Sequence, residues 1–259
     1  MIPKIIHYCW FGRKKKPRLI RKCLRSWKKY CPEYQIVEWN EDSFDLSAAP
    51  LFVRQALEAK EWAFASDYYR LAVVYEHGGV YLDTDVQLIR SLDGLLKDKA
   101  FFGFMSDSVR IATGLGFGAE KGSPILAEIM SEYLVDSLPR SADGREVITN
   151  SKRETKVFVA HGLKQDGSEQ FLDEYIHVYP PEYFCPIPWE GGSPENVTDH
   201  TVSIHWATGS WRTKAYKQKM RRIKNRNRFF NVIRFPNRLA KKLLGQERYA
   251  RLKERLKKK

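Results

Sequence analysis

Apolar positions along this chain switch between the period of a strand and that of a helix, and the switches come early. Ile2-Pro3-Lys4-Ile5-Ile6-His7-Tyr8-Cys9-Trp10-Phe11-Gly12 reads as a first strand running into a loop. After the basic loop Arg13 to Lys16 and Pro17, residues 18–30 place Leu19, Cys23 and Trp27 on one stripe, which predicts a helix that Cys31-Pro32-Glu33 ends. Residues 34–39 make a second strand, closing at Asn40. Strand, helix, strand predicts a parallel pair joined by a right-handed crossover. Residues 51–76 then carry Phe52, Ala56, Ala59, Ala63, Leu71 and Val74 at helical spacing, with no Gly or Pro after Pro50. This predicts one long helix, stopped by the left-handed cap that Gly78-Gly79 supplies. Val80-Tyr81-Leu82 is a short β-prone run, and Asp83 and Asp85 follow at its C-terminal edge.

Farther on, Phe101-Phe102-Gly103-Phe104 predicts a strand and Pro124 to Tyr133 a helix. Gly114-Leu115-Gly116-Phe117-Gly118-Ala119 reads as a glycine-rich strand or loop whose glycines face a ligand or sheet backbone. It is no dinucleotide fingerprint, because no such signature opens the first strand–helix unit. Val157-Phe158-Val159 and Ile176-His177-Val178-Tyr179 read as strands, Pro180 to Pro188 as irregular, and Thr201 to Trp206 as a strand before Ala207-Thr208-Gly209-Ser210-Trp211. The fold class is α/β.

Charge divides the chain in two. Of its net +14, the last 48 residues hold 20 Lys or Arg against Glu247 and Glu254, a local +18 that leaves −4 on residues 1–211. The expectation is a mildly acidic globular domain, 1–211, and a basic amphipathic helical tail, 212–259, with Phe229-Phe230, Val232-Ile233, Leu239 and Leu243-Leu244 among its charges. Such a tail suits an anionic membrane surface, where each cation adds about 1 kcal/mol. It carries no recognisable nucleic-acid reader motif, so no nucleic-acid partner is expected. No apolar run is long enough to span a bilayer. The N-terminus enters a strand with no secretory signal. The four cysteines show no metal-finger spacing and read as reduced thiols of a cytoplasmic protein, with a Cys23–Cys31 bridge left open. Together these predict a cytoplasmic protein, peripheral on the inner face of the plasma membrane.

Open α/β sheets bind ligands beyond the carboxyl ends of their strands. Asp83 and Asp85 there offer two hard oxygen ligands for a divalent cation already bound to phosphate oxygens. The i, i+3 spacing puts Asp67 and Arg70 on one otherwise apolar helix face, where an acid and a base need partners. Trp10 can stack on a flat base, His205 can add a nitrogen ligand, and Ser210 and Trp211 can contact a diphosphate. Without any chemistry, the same residues would be a strand-end turn, a buried ion pair, a core indole and a structural histidine.

In this order the motifs are recognisable. Residues 2–12, Ser26-Trp27, Glu38-Trp39-Asn40, Ala65-Ser66-Asp67-Tyr68-Tyr69-Arg70, Gly78-Gly79-Val80-Tyr81-Leu82-Asp83-Thr84-Asp85, and His205-Trp206 to Ser210-Trp211 resemble the DXD-motif sugar transferases of glycosyltransferase family 32. That group holds the capsular polysaccharide and Och1-like mannosyl transferases; the catalytic domains of the clostridial glucosylating toxins are more distantly similar. The resemblance covers residues 2 to about 211, while residues 130–200 and the basic tail match no recognisable pattern.

What the resemblance implies is a GT-A fold, a Rossmann-like mixed sheet, with metal-dependent, retaining transfer of a hexose from a nucleotide-diphosphate sugar. Mn²⁺ or Mg²⁺ is the implied metal, and a UDP-hexose the favoured donor, with GDP-mannose open. The acceptor would be a polysaccharide or lipid-linked oligosaccharide, in capsule, lipopolysaccharide or exopolysaccharide synthesis. By position, Trp10 would stack on the nucleobase, and Asp67 and Arg70 would contact ribose or sugar, Arg70 also steadying the leaving phosphate. Asp83 would bind ribose and the metal shell and Asp85 the metal; His205 and Ser210 stand where the toxins use an acid and a serine.

Two other readings compete. A haloacid-dehalogenase-like phosphatase would use Asp83 and Asp85 as nucleophile and acid/base, but that family carries its Asp-x-Asp on the first strand. A non-catalytic nucleic-acid or membrane-binding protein would rely on the tail; the −4 balance of residues 1–211 and their intact motifs oppose it.

Overall fold

Ile5–Cys9, the predicted first strand, is β1, and its neighbours are set by two crossovers of the same hand. The chain runs through α1 (Arg18–Tyr30) to β2 (Gln35–Trp39), then through α2 (Leu51–Glu58) and α3 (Trp62–His77) to β3 (Gly79–Tyr81). Both β2 and β3 pair parallel to β1, one on each side. Right-handed crossovers leaving in opposite directions put α1 on one sheet face and α2 and α3 on the other. Two buried clusters reflect this. Trp27 of α1 lies with Val80 and Leu82, whereas Phe52, Leu71 and Val74 of α2 and α3 lie with Tyr81. Alternation along one strand thus feeds both cores. The computed structural model describes residues 1–134, 149–187 and 197–208; these belong to the first of two units of the chain, Met1–Trp211. Ser210, Trp211 and the basic tail lie outside the described residues.

The sheet continues with β5 (Ala100–Gly103), β6 (Phe117–Ala119), β7 (Gln170–Leu172) and β8 (Ile176–Tyr179), in the order β2-β1-β3-β6-β5-β8-β7. β6 runs antiparallel to β3 and β5, and β7 antiparallel to β8, so the sheet is mixed. β4 (Val86–Leu88) and β9 (Ser203–His205) form a separate antiparallel pair. α1 is fastened to β4: the Trp27 indole donates to the Val86 carbonyl at 2.8 Å, and the Leu88 N–H donates to the Ser26 hydroxyl at 3.0 Å. α4 (Pro124–Leu134) and α5 (Asn150–Ala160) contribute Ile125, Ile129 and Phe158 to the cluster of α2 and α3.

Four expectations need correction. Residues 51–76 are two helices, because Lys60 takes a left-handed conformation (φ 58°). The Glu61 N–H returns to the Ala56 carbonyl at 2.8 Å and the Lys60 N–H to the Leu57 carbonyl at 3.0 Å. That is the Schellman closure, made here without glycine. Val157-Phe158-Val159 is not a strand but the end of α5: Val157 and Phe158 turn inward while Val159 is 46% exposed. Within Pro180 to Pro188, residues Pro181–Phe184 form one helical turn, α6. On α1 the buried stripe is Ile20, Cys23 and Trp27, with Leu19 only half-buried. All four cysteines are buried free thiols, so Cys23 and Cys31 are not bridged. Among the described residues no helix is long and apolar enough to cross a membrane.

Candidate active site

The β1–β3 pairing extends one residue past β3, where the Leu82 N–H donates to the His7 carbonyl at 3.1 Å. The chain then turns, Val86 N–H to Asp83 carbonyl at 2.9 Å, and enters β4. Asp83 and Asp85 occupy this turn, at the carboxyl edge of a parallel strand where ligands bind in such sheets. Register does the rest: Val86 is paired with His205 across β4 and β9, which brings the imidazole beside Asp85. One ligand atom each from Asp83, Asp85 and His205 lie within 4.8 Å of one another.

The two carboxylates are tuned apart. Burial alone would push Asp85 up. It is outweighed by the His205 charge and hydrogen bond (Nε2 to Oδ1, 3.2 Å) and by the Thr208 N–H and hydroxyl, each donating to Oδ2 at 2.8 Å. Asp85 is therefore held far below the usual carboxylate range, and ionised. Asp83 goes the other way: burial raises it, Arg70 opposes, and Asp85 adds to the rise. His205 is held down by burial but raised overall by Asp85. The Asp83 side chain keeps 27% of its surface exposed, so the turn opens to ligand.

Behind the turn lies a buried ionic network. The same Arg70 nitrogen meets Asp67 at 3.0 Å and Asp83 at 3.2 Å, so one guanidinium bridges two acids. Its other donors go to the Ser66 carbonyl at 3.2 Å and the Thr113 hydroxyl at 3.5 Å, and it sits 5.4 Å from the centre of the Tyr81 ring. Burial pushes Asp67 up to about 7; Arg70 opposes this, and Glu154 and Asp83 add to it. The glycines make room chiefly for side chains, where the expectation was a ligand or sheet backbone: a Cβ on Gly114 would lie 2.6 Å from Asp83 Oδ2, and one on Gly118 2.4 Å from the Phe101 ring and 3.1 Å from the Gly79 carbonyl.

Five residues singled out from the sequence, Asp67, Arg70, Asp83, Asp85 and His205, thus converge. Trp10 sits just beyond β1, half-buried, its indole donating to the Lys14 carbonyl at 2.7 Å; among the described residues no hydrogen bond joins it to that group. Ser210 and Trp211 lie outside the described residues. Sequence reasoning passed over Thr208, Thr113 and Glu154. Thr208 lies three residues after His205 in the same segment, but Thr113 and Glu154 carry no motif.

The family described as "Glycosyltransferase sugar-binding region containing DXD motif" matches residues 17–102, from the start of α1 into β5. Inositol phosphoceramide mannosyltransferase 3 of Schizosaccharomyces pombe is 33% identical over 148 residues, 54% of this chain and 38% of that protein. Lactosylceramide 4-alpha-galactosyltransferase of Mus musculus is 25% identical over 171 residues, 62% of this chain and 44% of that protein. The chain spans less than half the length of either relative. Among solved structures, PaToxG glycosyltransferase aligns with a TM-score of 0.48 at 18% identity, over 61% of this chain and 69% of that one. Residues 17–102 are thus related to DXD-motif sugar transferases, and they lie in a mixed, Rossmann-like sheet with an Asp-x-Asp turn past β3.

Proposed function

We propose that this chain is a metal-dependent, retaining glycosyltransferase that moves a hexose from a nucleotide-diphosphate sugar, UDP-linked by preference, to a lipid-linked or polysaccharide acceptor. The observation that carries the reading is the meeting of Asp83, Asp85 and His205 within 4.8 Å at the edge of β3, backed by Arg70. The two carboxylates fit Mn²⁺ or Mg²⁺, and the imidazole nitrogen favours Mn²⁺ over the oxygen-seeking Mg²⁺. Asp85 and His205 would hold the ion directly, with Asp83 beside it and toward the ribose. When bound, the cation supplies Lewis-acid stabilisation of charge on the diphosphate.

The chain's own residues do the rest. Arg70, its nitrogens turned to Ser66, Thr113, Asp67 and Asp83, fixes both acids and adds a preorganised positive charge behind the leaving phosphate. Asp67, pushed up to about 7, can accept or donate a hydrogen bond to a ribose or sugar hydroxyl. Trp10, Ser210 and Trp211 belong to the same reading, as the base-stacking and diphosphate contacts. The bond from the anomeric carbon to the diphosphate oxygen breaks as the bond to the acceptor oxygen forms on the same face. The leaving diphosphate takes the acceptor's proton. Membership of glycosyltransferase family 32 and a place in capsule, lipopolysaccharide or exopolysaccharide synthesis are part of the proposal. The ceramide acceptors in the names of the two relatives favour an acceptor carried on lipid.

The test is hydrolysis of a panel of UDP- and GDP-sugars with Mn²⁺, with EDTA and Asp85→Asn as controls. Slow release of one sugar, lost in both controls, is the expected result. Metal-independent turnover, or phosphate-ester hydrolysis in place of sugar release, would sink the reading.

A further inference from the structure

α1 faces solvent with cations alone. Arg18, Arg21, Lys22, Arg25, Lys28 and Lys29 are all exposed and recur at the three- and four-residue spacing of one helix face, with no acid anywhere in the helix. The ion pairs near its start use Arg13 with Asp42 and Lys16 with Glu38; among the described residues none of the six makes one. Like charges at this spacing weaken a helix, and Arg18 and Arg21 in the first turns oppose its dipole as well. A cost of that kind, left without an acidic partner among the described residues, points to a partner of opposite charge outside the chain.

The face adjoins the candidate site. Trp206, next to His205, is 38% exposed, its indole donates to Gln87 at 3.2 Å, and the Lys22 ammonium lies 5.6 Å from its ring centre. An exposed indole beside lysine suits a bilayer interface, where the ring meets headgroups and the cation meets lipid phosphate. Thirteen residues give a straight basic edge about 20 Å long. We propose that α1, with Trp206 at its margin, is a docking face for a membrane surface bearing anionic lipid, which presents the mouth of the site to a lipid-carried acceptor. The acceptor half of this statement rests on the proposed function; the docking half does not.

The experiment uses the full chain. Because the native cysteines are buried, an environment-sensitive label at Arg25→Cys reports on α1, and one at Lys152→Cys on α5 reports on the opposite sheet face. With vesicles of phosphatidylcholine and phosphatidylserine, the label at position 25 should shift to the blue and that at 152 should not. Combining Arg18→Gln, Arg21→Gln, Arg25→Gln and Lys28→Gln should weaken vesicle binding about tenfold or more, and salt should weaken the parent similarly. A label at 25 that stays in water while the chain sediments with vesicles overturns the proposal, since the chain is then held elsewhere. Unchanged affinity of the neutralised chain overturns it too. So does a label that responds to duplex DNA and not to vesicles. Nucleotide-sugar hydrolysis by the same preparations keeps the two readings apart: a shift at 25 without any hydrolysis retains the docking face and removes the transferase.

Discussion

Glu154, fully buried on α5, accepts the Thr113 backbone N–H at 2.9 Å and the Thr113 hydroxyl at 2.6 Å. Burial pushes this carboxyl up, against the pull of Arg70 and of those two hydrogen bonds. The pair fixes the short turn Thr113–Leu115, whose Gly114 lies against Asp83. Glu154→Ala leaves two buried donors unmet and is expected to cost about 2–3 kcal/mol of unfolding free energy, against about 1 for Glu154→Gln. Urea titration measures both; a Glu154→Ala loss below about 1 kcal/mol would show that the carboxylate is not what holds Thr113.

Gly114 is where the scaffold touches the site most closely. Its φ lies outside the left-handed region, so alanine is acceptable to the backbone, but the new methyl would fall 2.6 Å from Asp83 Oδ2 and 3.1 Å from Arg70. Asp83 must then swing away. Gly114→Ala should keep the fold and lower both Mn²⁺ affinity and nucleotide-sugar hydrolysis tenfold or more. Calorimetric titration with Mn²⁺ checks this, and unaltered affinity would place Asp83 outside the metal's reach.

Arg70 bridges Asp67 and Asp83 through one nitrogen while its others serve Ser66 and Thr113. A lysine keeps the charge but cannot reproduce the fork. Arg70→Lys should fold and lose at least tenfold in sugar release. Arg70→Ala, which strands buried carboxylates, should cost about 3–5 kcal/mol. Full activity in the lysine variant would mean that charge alone suffices.

Much of this was readable in residue order, for a physical reason. The first strand, α1 and second strand keep clean periods, and Gly78-Gly79 followed by Asp83 and Asp85 compresses a helix stop, a strand and a ligand turn into a few residues. What escaped was of two kinds. α5 buries Ser151, Arg153, Glu154 and Thr155, so its inward face is polar and only the apolar triplet at its end stood out, with no period to distinguish strand from helix. Glu154 acts on Thr113, 41 residues away, and Thr208 on Asp85, 123 away; contacts made by tertiary packing leave no local pattern.

The break between α2 and α3 was hidden because Lys60 occupies the position that glycine usually fills, at φ 58°. A side chain held there costs about 1 kcal/mol that glycine does not. Lys60→Gly is therefore expected to stabilise the protein by about 0.5–1 kcal/mol, seen as a higher denaturant midpoint at unchanged slope. A destabilised variant would mean that the Lys60 side chain repays its strain.

His7 makes the fold sensitive to acid. Its Nε2–H donates to the Gly78 carbonyl at 2.9 Å and its Nδ1 accepts from the Trp39 indole at 3.0 Å, so both nitrogens are committed to the neutral ring. Burial lowers it from 6.5 to about 4, against the raising effect of the Gly78 hydrogen bond. Between those values the unfolded chain binds a proton that the folded chain refuses. Stability from this group is thus complete above pH 6.5 and falls as pH drops toward 4, by up to about 3 kcal/mol. The loss would loosen Gly78-Gly79, the lead into β3 and the two aspartates. Unfolding free energies measured across that window should show the decline in the parent and a flatter profile in His7→Gln; equal slopes in both would move the acid sensitivity to another group.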